Sequence, residues 1–297
     1  FKQKTAYEIG VRLVGSEMCI RDRSIIDRRV EAKVNWNAIK ELGLIGIDEI
    51  SLKKGYKDYV TLITSRIGDK TRIIAVLKGR EKETVKAFFL SIPKHLVRTI
   101  IAVCADMYDG YINAVKESLG SHIPVIVDRF HVAKLYRKSL VSLRKKELKK
   151  LKKALSEKEY SALKPAIRIL CHNKEHMTLE EKRITEPLFK HSPLLRVAYE
   201  LCCRLTGIFN GKFSVEEAHE KINEWISAVE GSKVTCFNKF IQTLRKYKPE
   251  IANYFQGRYT SGFVEGFNNK VKVLKRRCYG IFTVSYTHLT LPTNREV

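Results

Sequence analysis

Five short runs of β-branched and aliphatic residues in the first half of the chain constrain the fold most strongly. Three of them are separated by turn-like segments that contain Gly, Lys and Asp, a pattern that predicts an antiparallel meander. Two more each follow a segment with helical periodicity, so the predicted order is β-β-β-α-β-α-β. The runs are Leu44–Ile50, Tyr59–Ser65, Thr71–Leu77, Thr99–Ala105 and Ile123–Val127.

The chain changes character after the fifth run. Over residues 129–257 the apolar residues recur at helical spacing, which predicts a large all-α insertion. Pro165, Pro187 and Pro193 are expected to separate its helices. The sequence therefore predicts an α/β fold whose mixed sheet (three antiparallel strands, then βα units) is interrupted by helices.

The predicted sheet resembles that of ribonuclease-H-like domains, whose first strand is central and whose fourth strand lies beside it in parallel. That resemblance divides the chain into a first core part, an insertion and a C-terminal core helix. The two ends resemble translated adaptor sequence and are expected to be non-native. The ranges are 1–23 for the N-terminal tail, 24–128 for the core, 129–257 for the insertion, 258–283 for the C-terminal helix and 284–297 for the second tail.

Three acidic residues stand at informative places in these segments. Asp48 closes the first apolar run, Asp106 closes the fourth, and Glu265 lies between Gly262 and Gly266. Carboxylates at strand ends are costly to bury unless they are paired or bind a cation. If the three converge, they form an all-oxygen site suited to Mg²⁺ or Mn²⁺.

Nearby residues offer alternatives for these roles. Glu49 would point to the opposite face of the strand from Asp48, and Asp48 is preferred because Gly46 leaves space on its own face. Asp109 is interpreted as a helix cap rather than a ligand. Asp128 and His131 follow the fifth run and share a helical face, so they either contact the substrate and metal ligands or cap a helix.

The charge of the chain indicates a polyanionic partner. Lys and Arg number 56 against 32 Asp and Glu, which gives a net charge of +24. Such an excess favours double-stranded DNA as the partner. The candidate DNA contacts lie in two basic helical segments and are Lys145, Lys146, Lys149, Lys150, Asn268, Asn269, Lys270, Lys272, Lys275, Arg276 and Arg277.

Composition also bears on the compartment. No run approaches the roughly 20 apolar residues that span a bilayer, so no membrane partner is expected. The seven Cys are scattered without a Cys-x-x-Cys pair, which favours free thiols in a reducing cytosol. A cytoplasmic, nucleoid-associated protein is therefore predicted.

Four segments together resemble the transposases of the ISL-three family of bacterial insertion sequences, in the family's order. They are IGIDEIS, CADMYDGY, IPVIVDRFHVAKL and YTSGFVEGFNNKVKVLKRRCYG, and the resemblance covers residues 42–280. It implies a DDE catalytic domain in which Asp48, Asp106 and Glu265 hold two Mg²⁺ or Mn²⁺ ions. Asp128 and His131 match a further element of such domains.

The resemblance implies metal-dependent DNA cleavage followed by strand transfer of the exposed 3′-OH. Pairing of two element ends would require a homo-oligomer on DNA. Two alternatives stay open: a catalytically inactive fragment that only binds DNA, and a related nuclease or resolvase of the ribonuclease-H fold.

Overall fold

The structure, a computed structural model, describes residues 34–51, 59–170 and 177–264, together with Gly266 and Asn269. These residues form two compact units. One unit combines the described residues up to 125 with those from 261 onward, and the other comprises the described residues between 126 and 260.

A five-stranded mixed sheet organises the first part of the chain. Its order is β3-β2-β1-β4-β5. The first three strands pair antiparallel, and β4 lies beside β1 in parallel. The expectation of an α/β fold with a mixed sheet is therefore confirmed. The strands are β1 Gly43–Ser51, β2 Tyr59–Ile67, β3 Lys70–Lys78, β4 Ile100–Ala105 and β5 Val125–Val127.

A tight hairpin sets the register between β2 and β3. Ile67 pairs with Lys70, so the turn consists of Gly68 and Asp69 alone. Gly68 has a φ of +56°, a left-handed conformation that glycine adopts without a Cβ clash. The resulting register places Leu62 opposite Val76, and both side chains enter one apolar cluster.

The two faces of the sheet are covered by different parts of the chain. On one face, α1 (Lys82–Leu90) packs against α3 (Asp109–Leu119), and the short α2 (Lys94–Val97) precedes β4. The opposite face carries a cluster of Ile50, Val60, Leu62, Val76 and Val264. The residues around 264, which are distant in sequence, therefore return to the sheet.

The second unit is helical. Trp225 is fully buried in it, and its Nε1 donates a 2.8 Å hydrogen bond to the carbonyl of Leu201. Its helices are α4 Arg129–Ala154, α5 Glu157–Ala162, α6 Lys164–Ile169, α7 Leu179–His191, α8 Pro193–Asn210, α9 Val215–Glu230, α10 Asn238–Lys246, α11 Lys248–Ala252 and α12 Tyr254–Gly257. No helix in the described ranges is both long and apolar enough to cross a bilayer.

One expectation about helix boundaries is wrong. Pro187 does not separate two helices but lies inside α7. A proline inside a helix costs about 3 kcal/mol through its missing N–H and a steric clash. Leu188 and Phe189 are both buried, and their burial offsets that cost. Pro165 and Pro193 do lie at helix starts, as predicted.

Candidate active site

The register between β1 and β4 brings Asp48 and Asp106 together. Gly46 of β1 is the partner of Cys104 in β4, and the strands run parallel. Asp48 follows Gly46 by two residues, and Asp106 follows Cys104 by two residues. Both aspartates therefore lie side by side, at the same edge of the sheet. Neighbouring strands are about 4.8 Å apart. Both aspartates are half-buried.

A buried phenol lies near these acids. The hydroxyl of Tyr111 in α3 lies 3.1 Å from Oγ1 of Thr61. Burial is the main cause that raises the pKa of Tyr111, and the negative charges of Glu49, Asp48 and Asp106 raise it further against the hydrogen bond with Thr61. Tyr111 therefore lies within electrostatic range of all three carboxylates.

Glu49 and Asp48 have different surroundings. Glu49 pairs across the sheet with Thr61, whose hydroxyl contacts Tyr111, so Glu49 faces α3. Its carboxylate accepts a 3.1 Å hydrogen bond from Arg80. Asp48 alternates to the other face, that of Gly46 and Ile50. Its Oδ1 accepts a 2.7 Å hydrogen bond from the backbone N–H of Glu49.

Gly46 receives the returning chain rather than leaving open space. A Cβ at this position would overlap the side chain of Val264 and lie 2.7 Å from Oγ1 of Thr64. The sequence predicted open space over Gly46, but the side chains of Phe263 and Val264 fill that space. The reason is a long-range contact that local sequence does not reveal.

Glu265 itself lies outside the described residues. The preceding residue in the chain, Val264, is fully buried in the cluster beside β1. It packs beside Gly46, which is two residues from Asp48. Within the described part of the chain no three His, Cys, Asp or Glu side chains gather as metal ligands.

Asp128 and His131 belong to the start of α4 in the helical unit. Asp128 is 1% exposed, and its Oδ1 accepts a 2.7 Å hydrogen bond from the N–H of Phe130. This is the geometry of a helix N-cap. His131 lies in the first turn and is half-buried. Contact of these two residues with a substrate stays a prediction.

Asp109, which was interpreted as a helix cap, lies one residue after the cap position. Asp109 is the first residue of α3, and the N-cap position belongs to Tyr108. An acid in the first turn still interacts favourably with the positive end of the helix dipole.

The basic face of α4 is present and exposed. Lys145, Lys146, Lys149 and Lys150 are all solvent-exposed, and Lys150 lies 2.6 Å from Glu147. Asn269 is also exposed. The remaining predicted DNA contacts lie outside the described residues and are Asn268, Lys270, Lys272, Lys275, Arg276 and Arg277.

Sequence reasoning missed the residues that surround the aspartates. Thr61 lies in β2, Arg80 follows β3, and Tyr111 lies in α3. Only Tyr111 belongs to one of the four segments that carry the family resemblance, CADMYDGY, and no role was assigned to it there. Arg80 carried one weak signal, because a basic residue directly after a strand can reach the acids at that sheet edge. Only the fold shows that it pairs with Glu49.

Comparisons with known proteins cover most of the chain. The family model of the ISL3-type DDE proteins, described as transposase, matches residues 45–290. The chain is 28% identical over 262 residues to the transposase for insertion sequence element IS1001 of Bordetella parapertussis. That alignment covers 86% of this chain and 61% of the relative, so the chain spans about three-fifths of the relative's length.

A shorter similarity points to a differently named protein. The chain is 34% identical over 108 residues to an ATP-dependent protease of Lactococcus lactis subsp. lactis, which covers 36% of this chain and 32% of that protein. The two relatives differ in name. The family model and the IS1001 alignment each cover most of the chain and therefore carry more weight.

Proposed function

Because the chain belongs to the ISL3 family of DDE transposases, we propose that it is the catalytic part of such an enzyme. It cuts DNA strands at the ends of an insertion sequence and joins the exposed 3′-OH to target DNA. The observation that carries this proposal is the parallel register of Gly46 and Cys104, which brings Asp48 and Asp106 to one sheet edge.

Asp48, Asp106 and Glu265 are the proposed catalytic carboxylates. The packing of Val264 beside Gly46 supports including Glu265, since the residue directly before it lies on this face of the sheet. We propose a ribonuclease-H-like fold on the same grounds: an antiparallel meander, a parallel neighbour for the first strand, and a segment that returns to the sheet after the helical unit.

The donor set fits a hard divalent cation. Carboxylate oxygens are the preferred protein ligands of Mg²⁺ and Mn²⁺, and the parallel register of β1 and β4 brings two carboxylates to one sheet edge. When bound, such ions supply activation of a water or 3′-OH nucleophile and neutralise charge on the phosphate. The protein's own part is to hold the three carboxylates and orient the DNA strand.

The proposed DNA contacts are sequence-independent. Exposed lysines on α4 and the basic residues after Glu265 suit the phosphate backbone, which positions a duplex without reading its bases. Assembly of two element ends would place more than one copy of the chain on the DNA. Asp128 and His131 are proposed to support the site beside their capping role.

Replacement of Asp106 by Asn tests the catalytic assignment. Asp106→Asn is expected to reduce Mn²⁺-dependent nicking of supercoiled plasmid DNA by roughly 100-fold or more, because the site loses a charged ligand. DNA binding should persist. The matched control is Asp109→Asn, which removes the same charge three residues away, at the start of α3.

Metal titration distinguishes the remaining possibilities. Calorimetry of the full chain should show Mn²⁺ binding that is lost in Asp48→Ala/Asp106→Ala. Salt-sensitive DNA binding with no cleavage under either metal would favour an inactive fragment. Nicks without joined products would favour a nuclease or resolvase. Equal nicking by Asp106→Asn and the unaltered chain would remove Asp106 from the mechanism.

A further inference from the structure

A second group of side chains lies at the same sheet edge as the two aspartates. Because β1, β2 and β3 are antiparallel neighbours, the end of β1, the start of β2 and the end of β3 meet there. Glu49 stands near the end of β1, Tyr59 begins β2, and Arg80 follows β3. Tyr108 joins them from the loop after β4, where its N–H donates to the carbonyl of Asp106 at 2.7 Å.

Arg80 is the centre of this group. Its Nη1 donates to Oε2 of Glu49 at 3.1 Å. Its guanidinium carbon lies 4.7 Å from the ring centre of Tyr59 and 5.4 Å from that of Tyr108. Two aromatic rings and one carboxylate therefore fix the orientation of the guanidinium plane, a form of stacking that arginine favours.

Within the part of the chain that the structure describes, most N–H donors of the Arg80 guanidinium make no hydrogen bond to protein. A guanidinium has five N–H groups. Among the described residues, Arg80 donates one hydrogen bond, and its side chain is 43% exposed. Glu49 is also partly exposed, at 33%. An ion pair of this exposure contributes little stability, so a phosphate can replace Glu49 at small cost.

We infer that Arg80 binds a backbone phosphate of the DNA strand that lies across the aspartates. Tyr59 and Tyr108 hold its guanidinium in place, and Glu49 pairs with the guanidinium in the absence of DNA. Arginine suits this role because its planar fork of donors matches the oxygens of a phosphate. The inference rests on the proposed function and names a substrate-binding residue of the same site.

Salt titration of DNA binding measures this contact. Each phosphate contact contributes about −0.9 to the slope of log K against log salt. With a labelled 30-base-pair duplex and the full chain, Arg80→Ala should reduce the magnitude of that slope by about 0.9. Its affinity should fall at every salt concentration at which the unaltered chain still binds. Arg80→Lys should retain the slope but bind less tightly.

Arg66→Ala is the matched control. Arg66 is also a partly exposed sheet arginine, with Asp69 at 3.6 Å and the ring centre of Phe263 at 5.8 Å. It lies at the opposite edge of the sheet, since its partner is Gly43 at the start of β1. Its replacement removes the same charge and should leave the slope near that of the unaltered chain.

Glu49→Gln gives an effect of opposite sign. Removing the competing carboxylate should raise DNA affinity, and the gain should disappear in the Arg80→Ala background, as a double-mutant cycle measures. A purely structural pair predicts the reverse, because loss of Glu49 would only loosen Arg80. An unchanged slope in Arg80→Ala, an equal loss in Arg66→Ala, or lower affinity in Glu49→Gln would each overturn the inference.

Metal binding separates this inference from the proposed function. Arg80→Ala should bind Mn²⁺ as the unaltered chain does, since Arg80 supplies no metal ligand. Loss of metal binding only in the Asp48→Ala/Asp106→Ala variant, together with an unchanged DNA slope in Arg80→Ala, would refute the role of Arg80 alone. Absence of metal binding in every chain would refute the proposed function while the DNA titration still decides the role of Arg80.

Discussion

At the scale of single residues, the absence of a side chain at position 46 lets the returning chain reach the sheet. Val264 occupies the space beside Gly46, and Thr64 limits it from β2, with its Oγ1 2.7 Å from where a Cβ would stand. Thr64 also donates to the carbonyl of Gly46 at 3.2 Å. A side chain at this position would push residues 263–264 away from β1.

Gly46→Ala is therefore expected to lower the free energy of unfolding by about 1–3 kcal/mol, the usual cost of overpacking. It should also weaken Mn²⁺ binding if Glu265 belongs to the site. Chemical denaturation and calorimetry measure the two effects. The double variant Gly46→Ala/Val264→Ala should lose less stability than the sum of the single variants. Additive losses would show that the two side chains do not compete for the same space.

At the scale of helices, a buried acid joins α4 to the start of α8. Glu147 is 8% exposed and accepts hydrogen bonds from Ser192 at 2.8 Å and Lys150 at 2.6 Å. Burial alone would raise its pKa, but the hydrogen bonds from Lys150 and Ser192 outweigh burial and lower the pKa below its ordinary value of 4.5. The stabilising form of Glu147 is therefore the carboxylate.

Because the pKa is lowered in the folded protein, Glu147 contributes stability that is present above pH 4.5 and lost as the pH falls below it. Glu147→Gln should melt at a lower temperature than the unaltered chain at neutral pH, and the difference should shrink as the pH falls below 4.5. Thermal unfolding across pH measures this. Glu180→Gln, which changes an exposed acid in α7, should show no such trend. A difference that stays constant with pH would contradict the assignment.

The same helix shows where its charge lies. Leu140, Leu143, Glu147 and Leu151 form a buried stripe along α4. The lysines therefore occupy the remaining, solvent-facing part of the helix. A helix with one buried and one strongly basic face can pack in its unit and still present phosphate contacts.

At the scale of the whole molecule, a net charge of +24 makes salt-sensitive DNA binding the expected behaviour. The position of the charge matters more than its amount if α4 contacts DNA. Replacing Lys145, Lys146 and Lys149 by Gln should reduce the magnitude of the slope of log K against log salt by up to about 0.9 for each phosphate that the helix no longer binds. Lys150 is kept in this variant because it pairs with Glu147.

The control removes three exposed lysines elsewhere, in Lys158→Gln/Lys182→Gln/Lys190→Gln. Both variants lose the same charge, so a smaller slope in the α4 variant alone would assign phosphate contacts to that helix. Equal changes would show that total charge, rather than the face of α4, governs binding. Anisotropy of a labelled duplex at several salt concentrations measures both.

Local chemistry in the sequence was enough to predict the five strands and the change to helices after the fifth. β-branched runs, turn glycines and helical spacing act over a few residues, so they are readable without a fold. The acids at the ends of two apolar runs and the excess of Lys and Arg are equally local. Pro187 was misread because its cost is outweighed by the burial of Leu188 and Phe189, which depends on distant partners.

Tertiary structure decided which of these local features meet. Pairing between strands more than 50 residues apart brings Asp48 beside Asp106, the return of Val264 fills the face at Gly46, and Arg80 pairs with Glu49. A strand pattern shows which face a side chain takes, but not which strand becomes its neighbour. The packing of the whole chain determines which strands become neighbours. Local sequence patterns therefore could not predict which residues meet at the site.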